Sequence, residues 1–299
     1  MAGSEGGGRK WLSCGCCGCL AIVVLILLIV GGLLGLARMQ VKGQAVAEQT
    51  LEPPEVVQPG EPTSAKPGRV ALRLKSAEFY VKPAAPGESL HLEARYDKSN
   101  YELTERFEDG AERWTYEIDF AGKRSWLLQI LGNLLGGEQS RVEVFLPLDV
   151  PLELELELAQ GGCEMELGGL WITSADIAFS QGGFAMGIDE PLRAPMDSLS
   201  IRGSMGGFAA SRLGHASPRR LEVDYRMGGM DLDLRGEWRV DSEITLRMSQ
   251  GGGNVRLPKN VRIVGLDEGR VGPPAVVEEV PRPTLTFTVS STQGELEFE

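Results

Sequence analysis

From Arg69 onward the chain alternates apolar and polar residues with a period of two, the pattern of half-buried β-strands. Val70, Leu72 and Leu74 alternate with Ala71, Arg73 and Lys75. Phe79, Leu90-His91-Leu92 and Trp114-Thr115-Tyr116-Glu117-Ile118-Asp119-Phe120 continue it, with turn chemistry at Lys98-Ser99-Asn100 and Glu108-Asp109-Gly110. Val142-Glu143-Val144-Phe145-Leu146-Pro147 follows. In Leu152–Leu158 the alternation is strict, leucines on one side and Glu153, Glu155 and Glu157 on the other.

Past residue 156 a longer rhythm is laid over the short one: an apolar run, a glycine turn, a second apolar run. The turns read Gln160-Gly161-Gly162, Gln181-Gly182-Gly183, Met205-Gly206-Gly207, Met227-Gly228-Gly229, Gln250-Gly251-Gly252-Gly253 and Gln293-Gly294. The first five start 21, 24, 22 and 23 residues apart, and the sixth follows after 43, about twice the period. A period in the twenties marks a unit that buries its apolar face only by stacking on copies of itself. The expected core positions before the glycines include Ile177/Phe179, Leu221/Val223/Tyr225 and Ile244/Leu246/Met248. After them they include Met165/Leu167, Met186/Ile188, Ala209 and Met230/Leu232/Leu234. The fold predicted is all-β, a single-stranded β-solenoid over residues 69–299, its glycines turning the chain at positive φ. On this reading Val at Gly183 or Gly229 destabilises the body. Residues 265–283, with Gly272-Pro273-Pro274, interrupt the period and read as a loop or an unusual coil.

Three segments break the strand rhythm. In 125–135 the apolar positions Leu127, Leu128, Leu131, Leu134 and Leu135 keep helical spacing, with Ser125 able to cap the start and Gly136 the end. This predicts one short helix covering the open end of the stack, or facing a partner or the membrane, the last weakened by the absence of Lys and Arg between Trp126 and Gln139. Residues 20–37, LAIVVLILLIVGGLLGLA, carry no charge. At ~1.5 Å per residue they reach roughly 27 Å, close to the ~30 Å of a hydrocarbon core. A cleaved signal peptide competes with a retained transmembrane helix, but the run exceeds the ~7–15 residues of a signal's apolar region. Residues 38–68 hold Pro53, Pro54, Pro59, Pro62 and Pro67 and read as a semi-rigid linker. Residues 1–19 are a short flank with Cys14, Cys16, Cys17 and Cys19; only Cys163 lies in the body, so the body has no disulfide framework. The cluster lacks the loop between ligand pairs that zinc needs; juxtamembrane acylation is a second reading, and small polarizable residues at a membrane boundary is the preferred one.

Charge divides the chain. Arg9, Lys10, Arg38 and Lys42 against Glu5 give residues 1–43 a net of +3, which within the total of −12 leaves −15 for residues 44–299. So acidic a body argues against nucleic acid as a partner and against lying flat on an anionic bilayer. The basic residues flank the apolar run evenly, so the positive-inside rule is close to a tie. The short N-terminal flank favours export of the body to a bacterial periplasm or cell exterior.

Chemistry is sparse. His91 and His215 are the only histidines and lie far apart in sequence, and Gly-x-Ser-x-Gly is missing. Gly251-Gly252-Gly253 sits between strands with no helix to present to a phosphate. Two acidic ladders, Glu153/Glu155/Glu157 with Glu164/Glu166, and Asp231/Asp233, offer oxygen ligands of the kind Ca²⁺ takes, or simply a solvated face. A polysaccharide-active groove needs Arg202, Arg226, Arg235, Arg247 and Arg256 to converge with acids. No catalytic, cofactor-binding or metal residue is assigned, and no cofactor.

The units VEVFLPLDVPLELELELAQGG and GGMDLDLRGEWRVDSEITLRMSQGGGNVRLPKNVRIVG carry a resemblance. Residues 142–263 resemble the adhesin-like, toast-rack β-solenoid domains of bacteria, including the C-terminal domain of LiaF-type membrane proteins. One apolar span stands here where the LiaF-type proteins have several. The resemblance implies a stacked β fold and brings no catalytic residues. The expected function is a membrane-anchored, extracytoplasmic, non-enzymatic module for binding, scaffolding or envelope sensing, with protein or envelope polysaccharide as partner. The alternatives are a carbohydrate-active solenoid enzyme and a self-associating scaffold.

Overall fold

The computed structural model describes residues 44–50, 66–75, 77–98, 100–123, 140–266 and 282–299. Its first strands are β1 (Gln44–Thr50), β2 (Gly68–Leu74), β3 (Ala77–Pro83), β4 (His91–Asp97), β5 (Tyr101–Asp109), β6 (Trp114–Gly122) and β7 (Arg141–Leu146). Then follow β8 (Leu152–Glu166), β9 (Ile172–Gly187), β10 (Ser198–Ser211), β11 (Arg220–Asp233), β12 (Ser242–Arg256), β13 (Arg262–Val264) and β14 (Thr284–Phe298). All join one sheet. Among the described residues there is no α-helix, only one 3-10 turn at Leu213–His215, and no helix long and apolar enough to cross a membrane. The flank 1–19, the span 20–37, the helical-spaced 125–135 and most of the 265–283 interruption lie outside the described residues. Within the expected linker, Gln44–Thr50 is an extended edge strand paired antiparallel with β4.

The glycine doublets do not end strands, as the sequence suggested. Each of β8 to β12 runs straight through its doublet, so β8 pairs with β9 on both sides of Gly161-Gly162. The doublet is a corner inside one continuous strand. The first glycine makes it: Gly161, Gly182, Gly206, Gly228 and Gly251 have φ between 112° and 130°. An ideal Cβ on Gly206 would lie 1.8 Å from the Gly182 carbonyl oxygen, because the corners stack backbone on backbone. The second glycine, where the sequence reading placed the Val test (Gly183, Gly229), has no positive φ, and an added Cβ there would have nothing within 4 Å. The expectation of strain therefore moves one residue back.

The corner also changes which residues face inward. Along an uninterrupted strand inward positions are an even number of residues apart. Across the corner they are five apart: Leu158 then Cys163, Phe179 then Phe184, Tyr225 then Met230, all buried. The odd interval acts as a bulge does, turning the chain so that both arms of a strand bury their side chains in one core. Phe179 and Phe184 stack across a corner at 5.2 Å. Ala209, expected inside, is exposed, and its neighbours Phe208 and Ala210 are buried instead.

In-register parallel pairing carries each inward row from layer to layer. On the first arm Leu72, Leu156, Ile177, Ile201, Val223 and Leu246 align; on the second, Phe79, Cys163, Phe184, Phe208, Met230 and Gly253. Burying a Leu, Ile or Phe of these rows contributes roughly 1.5–3 kcal/mol. Sizes are matched between layers. Gly203 falls in register between Phe179 and Tyr225, and a Cβ there would come within 2.4 Å of one ring and 2.5 Å of the other.

β2 and β3 act as the two arms of one layer: β2 pairs Leu152–Leu158 of β8, and β3 pairs Gly161–Met165. Beyond them β6 still pairs parallel with β2 and β7 with β3, and antiparallel pairing begins one strand further out, β5 with β6 and β4 with β7. β5 and β6 are joined as a hairpin, which needs only a short turn. At the other end the doubled spacing of 43 has a simple origin. β12 pairs directly with β14, and the short β13, earlier in sequence, lies on the far side of β14.

Candidate functional site

The corner leaves a distinctive outer surface on the second arm. Directly after it, one outward row reads Gly162, Gly183, Gly207, Gly229 and Gly252 in register, with Glu78 before it and Glu295 after it. Two residues on, the next row reads Glu164, Ala185, Ala209, Asp231, Asn254 and Glu297. A row without side chains beside a row of short ones dips below its surroundings, and a groove of ≈ 840 Å³ runs across the layers here. Its middle is glycine and alanine with Asp231 and Asn254 beside them, and toward its ends stand Glu78, Tyr80 and Glu164 on one side and Glu295 and Glu297 on the other.

The corner ladder borders the glycine row. Gln160 Nε2 donates to Gln181 Oε1 at 3.2 Å and Gln250 Nε2 to Gln293 Oε1 at 3.0 Å. Between these pairs the same register position holds Met205 and Met227, 41% and 47% exposed.

The acidic ladders are engaged in ion pairs and turns. Glu153 meets Arg113 at 2.8 Å, Glu155 meets Arg69, and Glu157 meets Arg73 at 3.9 Å. Glu166 accepts from the Gly168 and Asp189 amides, and Asp231 pairs with Arg256 at 3.0 Å. Among the described residues no three His, Cys, Asp or Glu side chains gather to hold a metal ion. Nor do the five arginines converge. Arg202 and Arg247 stand on the first arm with Asp224 between them in register, pairing with Asp176 and Glu222. Arg235 and Arg256 belong to the second arm and its exit, and Arg226 is exposed near the corner.

His91 stacks on Phe145 at 4.4 Å with Nδ1 2.9 Å from the Ser89 carbonyl oxygen. His215 closes the 3-10 turn with Nδ1 2.8 Å from the Ile188 carbonyl oxygen. Each imidazole thus serves its own backbone neighbourhood.

Asp233 accepts from Arg235 Nε, Nη2 and backbone N at 2.8–2.9 Å, and the guanidinium bonds hold its carboxyl below the usual carboxylate range. A group depressed in the folded state contributes stability above its unfolded pKa, near ~3.9, that is lost as pH falls through the folded value. Asp233→Asn is expected to lower the thermal midpoint by a few degrees at neutral pH, with the gap closing below pH ~4. An equal gap at all pH values would rule out the ionised contact as its cause.

Burial, with Glu164 adjacent, pushes the Cys163 thiol up to about 12. Its neutral, enclosed sulfur packs as an apolar group. Maleimide at pH 8 should leave the Cys163 peptide unlabelled in native protein and label it fully in urea, as read by peptide mass; native labelling would show the second arm open.

The geometry defines an all-β protein built on in-register parallel strands with a glycine-floored outer groove. No protein-family profile matches the chain, and no curated protein matches it. Among solved structures it is similar to a proposed cell adhesion protein from Clostridium sporogenes, at 14% identity, covering 85% of this chain and 98% of that one, TM-score 0.38. It is similar to a proposed adhesin from Bacteroides fragilis, at 7% identity over 86% of this chain and 98% of that one, TM-score 0.31. A proposed adhesin from Parabacteroides merdae follows, at 11% identity over 86% and 97%, TM-score 0.31.

Proposed function

We propose that this chain is a membrane-tethered, extracytoplasmic, non-enzymatic binding or scaffolding module whose body is a single-stranded β-solenoid of the adhesin-like, toast-rack kind. In this reading residues 1–19 stay inside, 20–37 anchor, 38–43 join the anchor to β1 of the sheet, 51–67 connect β1 to β2, and the body presents the contact surface. Its support in sequence is the uncharged run followed by a proline-rich stretch and an acidic body. The observation that carries it is the groove: a shallow trough continuous over several layers, floored by backbone and methyl groups. Such a surface suits contact with an extended partner, while His91 and His215 each engage Nδ1 with a backbone carbonyl and Cys163 is buried in the core.

A photo-cross-linking residue at Ala209, in the groove floor, tests the binding reading in intact membranes. Adducts are expected from Ala209 and not from Thr245 on the first arm; equal adducts from both, or none from Ala209, sink it. Topology is tested separately. Protease added to intact cells should cut between residues 51 and 67, read as two fragments on a denaturing gel while β1 still pairs with β4, whereas protection until lysis would place the body in the cytoplasm.

A further inference from the structure

The groove's charge pattern names a class of partner, on the footing of the binding reading above. Its middle, Gly183, Gly207, Gly229, Ala185 and Ala209, is exposed and uncharged. Glu78, Tyr80 and Glu164 stand at the β3–β8 end, with Arg141 in register beside Glu78 and its guanidinium 4.2 Å from the Tyr80 ring, so Glu164 is the carboxylate there without an adjacent arginine in register; Glu295 and Glu297 stand at the β14 end. Arg256 neutralises Asp231, and none of the lining residues is Lys or Arg. Paired strands are ~4.8 Å apart, so the five steps from Glu164 to Glu297 span about 24 Å and the six from Glu78 to Glu295 about 29 Å. An extended chain advances ~3.3 Å per residue and covers those distances in about seven to nine residues.

We propose that the groove takes an extended basic peptide segment laid across the layers. Lys or Arg residues about seven to nine positions apart meet the acidic ends, and small apolar residues between them lie on the glycine–alanine floor. The bare floor lets a main chain approach closely, and Met205 and Met227 offer adaptable apolar contact beside its middle. A second copy of this chain fits worse. Whichever way two such grooves face each other, acidic ends meet acidic ends on bodies of like charge. A neutral polysaccharide can donate hydroxyl hydrogen bonds to the carboxylates but brings no charge to balance them.

The test uses the full chain in zwitterionic detergent micelles and a fluorescein-labelled nine-residue peptide with Lys at both ends and Ala, Ser and Val between. Anisotropy should show saturable binding that weakens about tenfold between about 50 and 300 mM salt. The same peptide with Glu at both ends should bind at least about tenfold more weakly, as should a version with only three residues between its lysines. Ala209→Arg, with Ala185→Arg as a second floor variant, should abolish binding without changing the melting curve, and Glu164→Gln with Glu297→Gln should weaken it about tenfold. Equal affinity for the Lys- and Glu-ended peptides overturns the proposal. So does Lys-peptide binding untouched by the floor variants, or no peptide binding while a neutral oligosaccharide binds and is blocked by Ala209→Arg. The two levels separate cleanly. Adducts from Ala209 that persist undiminished in high salt leave the binding reading standing and remove the basic peptide; no adduct from Ala209 removes the reading itself.

Discussion

Gly206→Ala is expected to cost more than ~3 kcal/mol, enough to unfold a body of ordinary marginal stability. Two effects add. At φ 124° an L-residue is strained by roughly 1–3 kcal/mol wherever it sits. The new methyl would also stand 1.8 Å from the Gly182 carbonyl oxygen, which is backbone and cannot rotate away. Relief by backbone shift is blocked because β10 is paired on both edges, to β9 and to β11. The neighbouring substitution is the control. Gly207→Ala adds its methyl to open space at ordinary φ and should fall within about ±0.5 kcal/mol. Gly294 grades the argument: it sits in the last layer with no positive φ, and its Cβ would meet the Gly251 oxygen at 3.1 Å, so Ala there should cost an intermediate amount. Urea midpoints of the full chain in detergent give the order. A Gly207 variant as damaged as the Gly206 variant would refute the corner assignment.

Much of this architecture is legible in the sequence, for an identifiable reason. Strict alternation in Leu152–Leu158 announces one buried and one wet face, and the stacked layers do bury Leu152, Leu154, Leu156 and Leu158. The doublets are landmarks that recur, so their spacings give the strand register directly: Gly161 pairs with Gly182, Gly182 with Gly206, Gly206 with Gly228. Alternation alone does not set the phase after the corner: Met165/Leu167, Met186/Ile188 and Met230/Leu232/Leu234 read as core and are buried, but in the β10 layer Ala209 reads as core where Phe208 and Ala210 are the buried residues, until the five-residue interval is noticed. The signal was present in Phe179 and Phe184, in Tyr225 and Met230, each apolar pair separated by an odd count. The order of β13 and β14 is a different matter. No periodicity tells which of two strands in a doubled interval takes the inner place.

The groove was hidden for another reason. A search for chemistry in a sequence looks for side chains, and this surface is made by their absence. The second glycine of each doublet looks redundant beside the first, which the fold demands. Only when register puts Gly183, Gly207 and Gly229 in one line, with Ala185 and Ala209 beside them, does the smooth floor emerge. The acidic ladders, plain in the sequence, divide by their partners in the structure. Glu153, Glu155, Glu157 and Asp231 each face an arginine, while Glu164, at the end of the groove, faces the trough.

The second large effect lies beneath that floor. Phe208, 2% exposed, has Phe179 at 5.7 Å, Phe184 at 5.9 Å and Tyr225 at 6.2 Å between ring centroids. Phe208→Ala should cost about 3–5 kcal/mol, and Phe208→Leu under about 2, since Leu refills most of the space. Gly203 makes the prediction specific. In the native chain its replacement by Ala forces a methyl against Phe179 and Tyr225, an overpacking worth about 1–3 kcal/mol. Those are the rings that border the Phe208 cavity, so in the Phe208→Ala background they have somewhere to go. The double variant Gly203→Ala/Phe208→Ala should therefore be more stable than the sum of the single effects, by roughly 0.5–2 kcal/mol in a double-mutant cycle. Strict additivity would mean that the four rings do not share one packing space across the corner. The two arms would then be two independent cores, each able to tolerate its own glycine changes, and the Gly206 ladder alone would have to hold the bend.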